Sequence, residues 1–175
     1  MATRRVVTGI AADGTSYVVH DGPTTGSVDL GVIRLDDVWV DDPDNPDPDA
    51  SRDPVAGDLA LVPPRGGSVV RVGTLYPPSR ADTPGEDAIT RDLVRWSRGD
   101  AMESGPSGDE GWHTTATIDY GIVLSGRVEL GLDDGWVELG PGDVVVQRAT
   151  RHAWRLLGNE PCRIAWILIA SPNYC

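Results

Sequence analysis

The stretch IDYGIVLSGRVELGLDDGWVELGPGDVVVQR at residues 118–148 decides the fold. Apolar residues recur in it at intervals of two, as they do when alternate side chains point to opposite faces of a strand. The runs break at Ser125-Gly126, at Asp134-Gly135 and at Gly140-Pro141-Gly142, all combinations that turn a chain, and Asp-Gly is a strong hairpin signal. Two more apolar runs follow, His152 to Leu157 and Cys162 to Ile169. Six consecutive short strands, with several more upstream, predict an all-β double-sheet jelly-roll barrel.

Working outward, short strand patterns also open the chain at Arg5 to Ile10 and Thr15 to Asp21, with Asp13-Gly14 as the turn between them. Val28 to Val40 reads as one further apolar stretch, and Asp58 to Val62 and Gly67 to Tyr76 read as two more. Between them the segment 41–56 is rich in aspartate and proline and holds almost nothing that could be buried, which predicts a solvated loop. Its prolines sit where a calcium loop needs spacers, and it lacks the required glycine and closing glutamate, so calcium is not the reading. One helix is expected over 83–98: Thr83 and Glu86 make a capping box around Pro84, Ile89, Leu93 and Trp96 share a face, and Gly99 stops it. The division is therefore N-terminal strands over 1–80, the helix, and a core of strands over 104–172, all within a single domain over 1–175.

A formal charge of -12 repels phosphate backbones and anionic membranes, which predicts no nucleic-acid and no membrane partner. No apolar run reaches the length of a membrane span, and since Thr8, Gly9 and Asp13 interrupt the first apolar stretch, no signal sequence is expected in it. Cys162 and Cys175 are too few for a disulfide scaffold, so a cytoplasmic location is expected. The 21 glycines and 14 prolines fall between the β-branched runs, as many turns require.

Chemistry-bearing residues are scarce enough to single out. Only three histidines occur, His20, His113 and His152. Strand alternation places His113, Thr115, Thr117 and Asp119 on one face, and if that face looks into the barrel, an imidazole and a carboxylate enter it only a few residues apart. An unpaired charge is expensive to bury, and a metal ion would offset that expense. The competing reading pairs Asp119 with Arg148 or Arg155 and leaves the barrel metal-free. Trp154 shares parity with His152 and is expected to wall the same cavity. Tyr120 and Arg148 are weaker pocket candidates, Arg148 as a clamp for a substrate anion. His20 is read as structural, and Trp39, Trp96, Trp112, Trp136 and Trp166 as packing residues.

These residues carry a resemblance to the cupin superfamily. Its first motif sets two histidines and a glutamate ahead of a strand ending in glycine; here His113 stands at the first histidine, Thr115 at the second, and Asp119 at the acid, seven positions ahead of Gly126. The second motif is similar to Pro141-Gly142-Asp143 through His152, with Arg148 at the usual proline and the spacing to His152 one residue short. The wording around His113, Gln147 and His152 resembles a group of small single-domain cupins from bacteria and fungi. The resemblance implies a metal site of His113, Asp119 and His152, with Gln147 or Thr115 as a fourth or supporting ligand, and one divalent ion, whether iron, zinc, manganese or nickel. It implies an enzyme acting on a small organic metabolite, of lyase, decarboxylase or isomerase type, with a non-heme iron dioxygenase and a non-catalytic or metal-free ligand-binding barrel as alternatives. The N-terminal strands need an edge to pair with, and pairing across a two-fold axis predicts a homodimer.

Overall fold

The computed structural model describes residues 2–47, 52–57, 59, 62–78 and 111–171. The helix expected over 83–98 lies outside the described residues, and among those described there are eleven strands and no helix. None of the described helices is long and apolar enough to cross a membrane, there being none.

The run that decides the fold forms strands at the expected breaks. β6 (Thr117–Ser125), β7 (Val128–Leu132), β8 (Gly135–Leu139), β9 (Val144–Arg148), β10 (Ala153–Leu156) and β11 (Cys162–Ala170) follow one another. Asp133 and Asp134 make the two-residue turn of the β7–β8 hairpin, with Leu132 opposite Gly135. Gly126 turns β6 into β7 at φ 76°, and a Cβ there would run into the Pro161 carbonyl, so only glycine fits.

Upstream lie β1 (Arg4–Ile10), β2 (Ser16–Pro23), β3 (Gly26–Asp29), β4 (Ile33–Asp41) and β5 (Ser68–Leu75). The stretch Val28 to Val40, expected as a single run, is a hairpin instead. Its chain reverses around Gly31, whose N–H is accepted by Asp29 Oδ1 at 3.1 Å. Leu59 and Val62, the described ends of the expected strand 58–62, are not in a strand. The acidic segment closes on itself: Asp42 accepts from Asp44 N–H and from Asn45 Nδ2, and Asp47 accepts from Arg52 N–H.

Three antiparallel sheets result. A six-stranded sheet runs β3-β4-β5-β11-β6-β9, a three-stranded sheet runs β10-β7-β8, and β1 and β2 pair with each other as a separate ribbon. The two larger sheets face one another across one apolar cluster, in which Val123, Cys162 and Ile164 come from the large sheet and Val128, Leu130 and Leu139 from the small one. Burying each such side chain contributes about 1.5–3 kcal/mol, which makes this cluster the chief cohesive element of the barrel. A smaller cluster of Val28, Leu30, Leu35 and Leu59 sits at the far end of the large sheet. The inner face of that sheet is where the candidate site forms.

Candidate functional site

His113 and His152 meet through the main chain. Each donates its N–H to the carbonyl of the other, at 2.9 and 3.0 Å, forming an isolated antiparallel bridge outside the named strands. Residues directly opposite in such a bridge present their side chains on one face. The imidazole centroids are accordingly 4.2 Å apart, inclined at 60°. Trp112, one residue before, points the other way: its ring meets Trp136 edge-on at 5.8 Å, and the Arg151 guanidinium lies 4.5 Å from its centroid. This outer stack anchors the segment that delivers His113 inward.

Both rings are held in one tautomer. His113 Nδ1 lies 3.1 Å from the Gly111 carbonyl and His152 Nδ1 lies 2.9 Å from the Thr150 carbonyl. A carbonyl only accepts, so Nδ1 carries the proton in each ring and Nε2 keeps its lone pair. Burial lowers the pKa of both rings. For His152, burial and then the neighbouring His113 push it down to about 3, so it is neutral in ordinary buffers. A neutral imidazole whose Nδ1–H is engaged by a carbonyl is the usual form of a metal-ligating histidine.

Thr115, just before β6, and Thr117 and Asp119 on its inner face are all buried, and the hydroxyls of Thr115 and Thr117 are 2.8 Å apart. Asp119 pairs in register with Gln147 of β9. Asp119 Oδ1 and Gln147 Nε2 are both buried without a hydrogen-bond partner. Burial raises the Asp119 pKa, while a Thr117 hydrogen bond and the charge of Arg71 pull it back. Arg155, a possible ion partner for Asp119 on the sequence, instead donates from Nε to Glu129 at 2.7 Å and stacks 4.2 Å from the Trp136 centroid.

A metal ion fits this interior in part. The two imidazoles offer paired nitrogen donors, and the orphan carboxylate oxygen has the right chemistry. Among the described residues, however, no group of three His, Cys, Asp or Glu side chains is gathered closely enough to hold an ion.

Trp154 is brought to the imidazoles, its ring meeting His152 edge-on at 6.2 Å and Trp166 at 5.8 Å. The Trp166 ring crosses the inner face so closely that a Cβ at Gly73 would collide with it. Tyr120 and Arg148 are not brought in. Both are exposed, because they alternate with the buried Asp119 and Gln147 on their strands, so the pocket roles expected of them are not supported by their placement. His20 sits in the β1–β2 ribbon, its Nε2 3.3 Å from the Pro23 carbonyl.

Sequence reasoning missed the charged pair inside the sheet. Arg71 of β5 donates from Nε to Asp37 Oδ1 at 2.6 Å and from Nη2 to Oδ2 at 3.1 Å, with both side chains buried. The signal was present: a lone arginine stands in the apolar run Ser68 to Leu75, and an Asp-Asp pair stands in the run Ile33 to Val40. Charges in such strands need each other.

Two facing antiparallel sheets with the imidazoles between them define a jelly-roll barrel with a candidate site in its interior. Residues 101–168 match the Cupin_2 family, described as Cupin domain, so the chain carries a cupin domain. Over 72 residues it is 43% identical to the "Cupin-domain-containing oxidoreductase srdD" of Neurospora crassa, a match covering 39% of this chain and 37% of that protein. Over 51 residues it is 51% identical to "Phomopsin biosynthesis cluster protein C'" of Diaporthe leptostromiformis, covering 29% of this chain and 27% of that protein. The chain thus spans well under half the length of these curated relatives in the matched region. Among solved structures, the cupin domain of Schizosaccharomyces pombe Cnp3 aligns at 11% identity with a TM-score of 0.48, covering 96% of this chain and 84% of that one.

Proposed function

We propose that the barrel interior is the active site of an enzyme acting on a small organic molecule, with His113 and His152 holding one divalent metal ion through Nε2. The observation that carries this reading is the bridge itself: two neutral imidazoles face each other, each with its Nδ1 proton committed to a carbonyl. An ion bound there supplies a Lewis acid or a one-electron redox centre. The residues around it do the positioning. Burial keeps both imidazoles deprotonated at Nε2, and Trp154 and Trp166 give the ligand an apolar wall that excludes water. Partial relatives named as cupin-domain oxidoreductases support redox chemistry over the lyase, decarboxylase or isomerase action expected from the residues alone.

Elemental analysis of protein purified without chelators tests the metal. About one ion per chain is expected, and it should be lost in both His113→Ala and His152→Ala. Wild-type protein without stoichiometric metal would overturn the reading. It would favour a metal-free barrel that binds a small ligand, a reading supported by the failure of a third side chain to join the imidazoles. Turnover screens under air and under nitrogen then separate oxygen-dependent from oxygen-independent chemistry.

A further inference from the structure

We propose that Asp119 and Gln147 form a donor–acceptor pair that recognises a neutral carboxamide-type group on the ligand, an inference that rests on reading the barrel interior as a small-molecule site. The two residues are cross-strand partners in register on β6 and β9. Directly opposed side chains on one face lie within reach of a single small group. Asp119 is 5% exposed and Gln147 3%, yet Asp119 Oδ1 accepts from nothing and Gln147 Nε2 donates to nothing. Most buried polar atoms have partners, and an orphan of each kind on neighbouring strands marks a place where a partner binds.

The pair selects by chemistry. It offers one acceptor and one donor side by side, so its complement presents a donor beside an acceptor, as a carboxamide does. A carboxylate presents acceptors only; it would satisfy Gln147 but set its second oxygen against Asp119, in a chain whose formal charge is already -12. An ammonium would satisfy Asp119 and leave Gln147 Nε2 unpaired. The ligand body is constrained as well. Two residues along the same face from Asp119, Gly121 lies opposite Trp166, and its open position lets the indole approach to 3.3 Å of where a Cβ would stand. The indole thus sets an aromatic surface two residues from the pair, and benzamide, an amide on a flat ring, is the simplest probe.

Isothermal titration of the metal-loaded wild-type protein with benzamide and with benzoate is the test, repeated with Asp119→Ala, Gln147→Ala and the volume-conserving Gln147→Leu. Benzamide should bind at least tenfold more tightly than benzoate to the wild type. Asp119→Ala should lose tenfold or more for benzamide while gaining for benzoate, so that the preference inverts, a change that a folding defect does not produce. Both Gln147 variants should weaken both probes. Wild-type protein that binds neither probe, or binds them equally, overturns the inference. So does an Asp119→Ala variant that loses its metal while keeping the wild-type preference, which would place Asp119 in the metal shell. Metal-free wild-type protein that still prefers benzamide would end the metal reading and leave this one standing, whereas stoichiometric metal without any preference would do the reverse.

Discussion

The segment 111–171 and the described residues of 2–78 are built from the same kind of strand but held by different forces. The first forms six strands joined by short turns, and its side chains share one apolar cluster between two sheets. The second draws charges inside, where Arg71 pairs with Asp37, Arg34 with Asp36 and Arg5 with Asp53, whereas the pairs of the first, Arg127 with Glu138, Arg151 with Asp133 and Arg155 with Glu129, are more open to water; the second region's own apolar cluster is small. Even the attachment of the β1–β2 ribbon is polar, with Thr3 donating to Asp36 at 2.8 Å and the Thr24 hydroxyl to the Asp37 carbonyl. Non-directional burial suffices where two sheets can close on each other, whereas a ribbon on the flank of a single sheet needs directional bonds to fix its place. The two regions meet at β5 and β11, where Arg71 lies opposite Trp166.

The contrast is most sharply broken by removing burial from the first region. Leu130→Ala should lower unfolding stability by about 3 kcal/mol in urea melts, since Leu130 is 5% exposed at the centre of the cluster. A loss under 1 kcal/mol would show that the two sheets are not held by this cluster. Asp37→Ala comes next, at about 3 kcal/mol or slightly less, because it breaks a buried, doubly hydrogen-bonded pair with Arg71. Asp37→Asn should recover part of the loss by keeping one acceptor.

Acid sharpens the comparison in a different way. In the unfolded chain His152 takes a proton near pH 6.5, whereas in the folded protein it resists protonation down to about 3. Between those values the unfolded state binds the extra proton, so the stability due to the neutral ring is whole above 6.5 and drains away as the pH falls toward 3. Chelator-treated protein should lose about 1 kcal/mol per pH unit below 6.5 through this group. His152→Gln should show a visibly shallower slope, and an unchanged slope would mean that the ring is not buried in its neutral form. The smallest effect is expected at the ribbon surface: Arg4→Ala removes an ion pair with Asp21 that is open to water, and the thermal midpoint should not move beyond experimental scatter.

How much of this was legible beforehand follows the same divide. The turn signals Ser125-Gly126 and Asp134-Gly135 and the alternation between them marked β6, β7 and β8 closely, the hairpin turn falling one residue earlier at Asp133-Asp134, because local backbone rules operate there with little interference. In the other region the alternation misled. Leu35, Asp36 and Asp37 are all buried in succession, and a register shift follows between Asp37 and Trp39. No period of two survives such a bulge, so the Asp37 contact with Arg71 was legible only from the charges standing in apolar runs and not from spacing. The meeting of His113 with His152 was foreshadowed by parity and by the resemblance of their motifs, but its means was not. It depends on a main-chain bridge between residues far apart in sequence, which leaves no mark in side-chain pattern.

That bridge has a consequence for redesign. Two N–H···O bonds register positions 113 and 152 against each other without involving either ring, so the register itself does not require imidazoles there. Cysteine or glutamine grafted at one or both would inherit the same placement without bringing a charge into a buried position. The barrel is in this sense a socket whose contacts can be exchanged, and a library confined to two codons would explore new chemistries without asking the scaffold to refold.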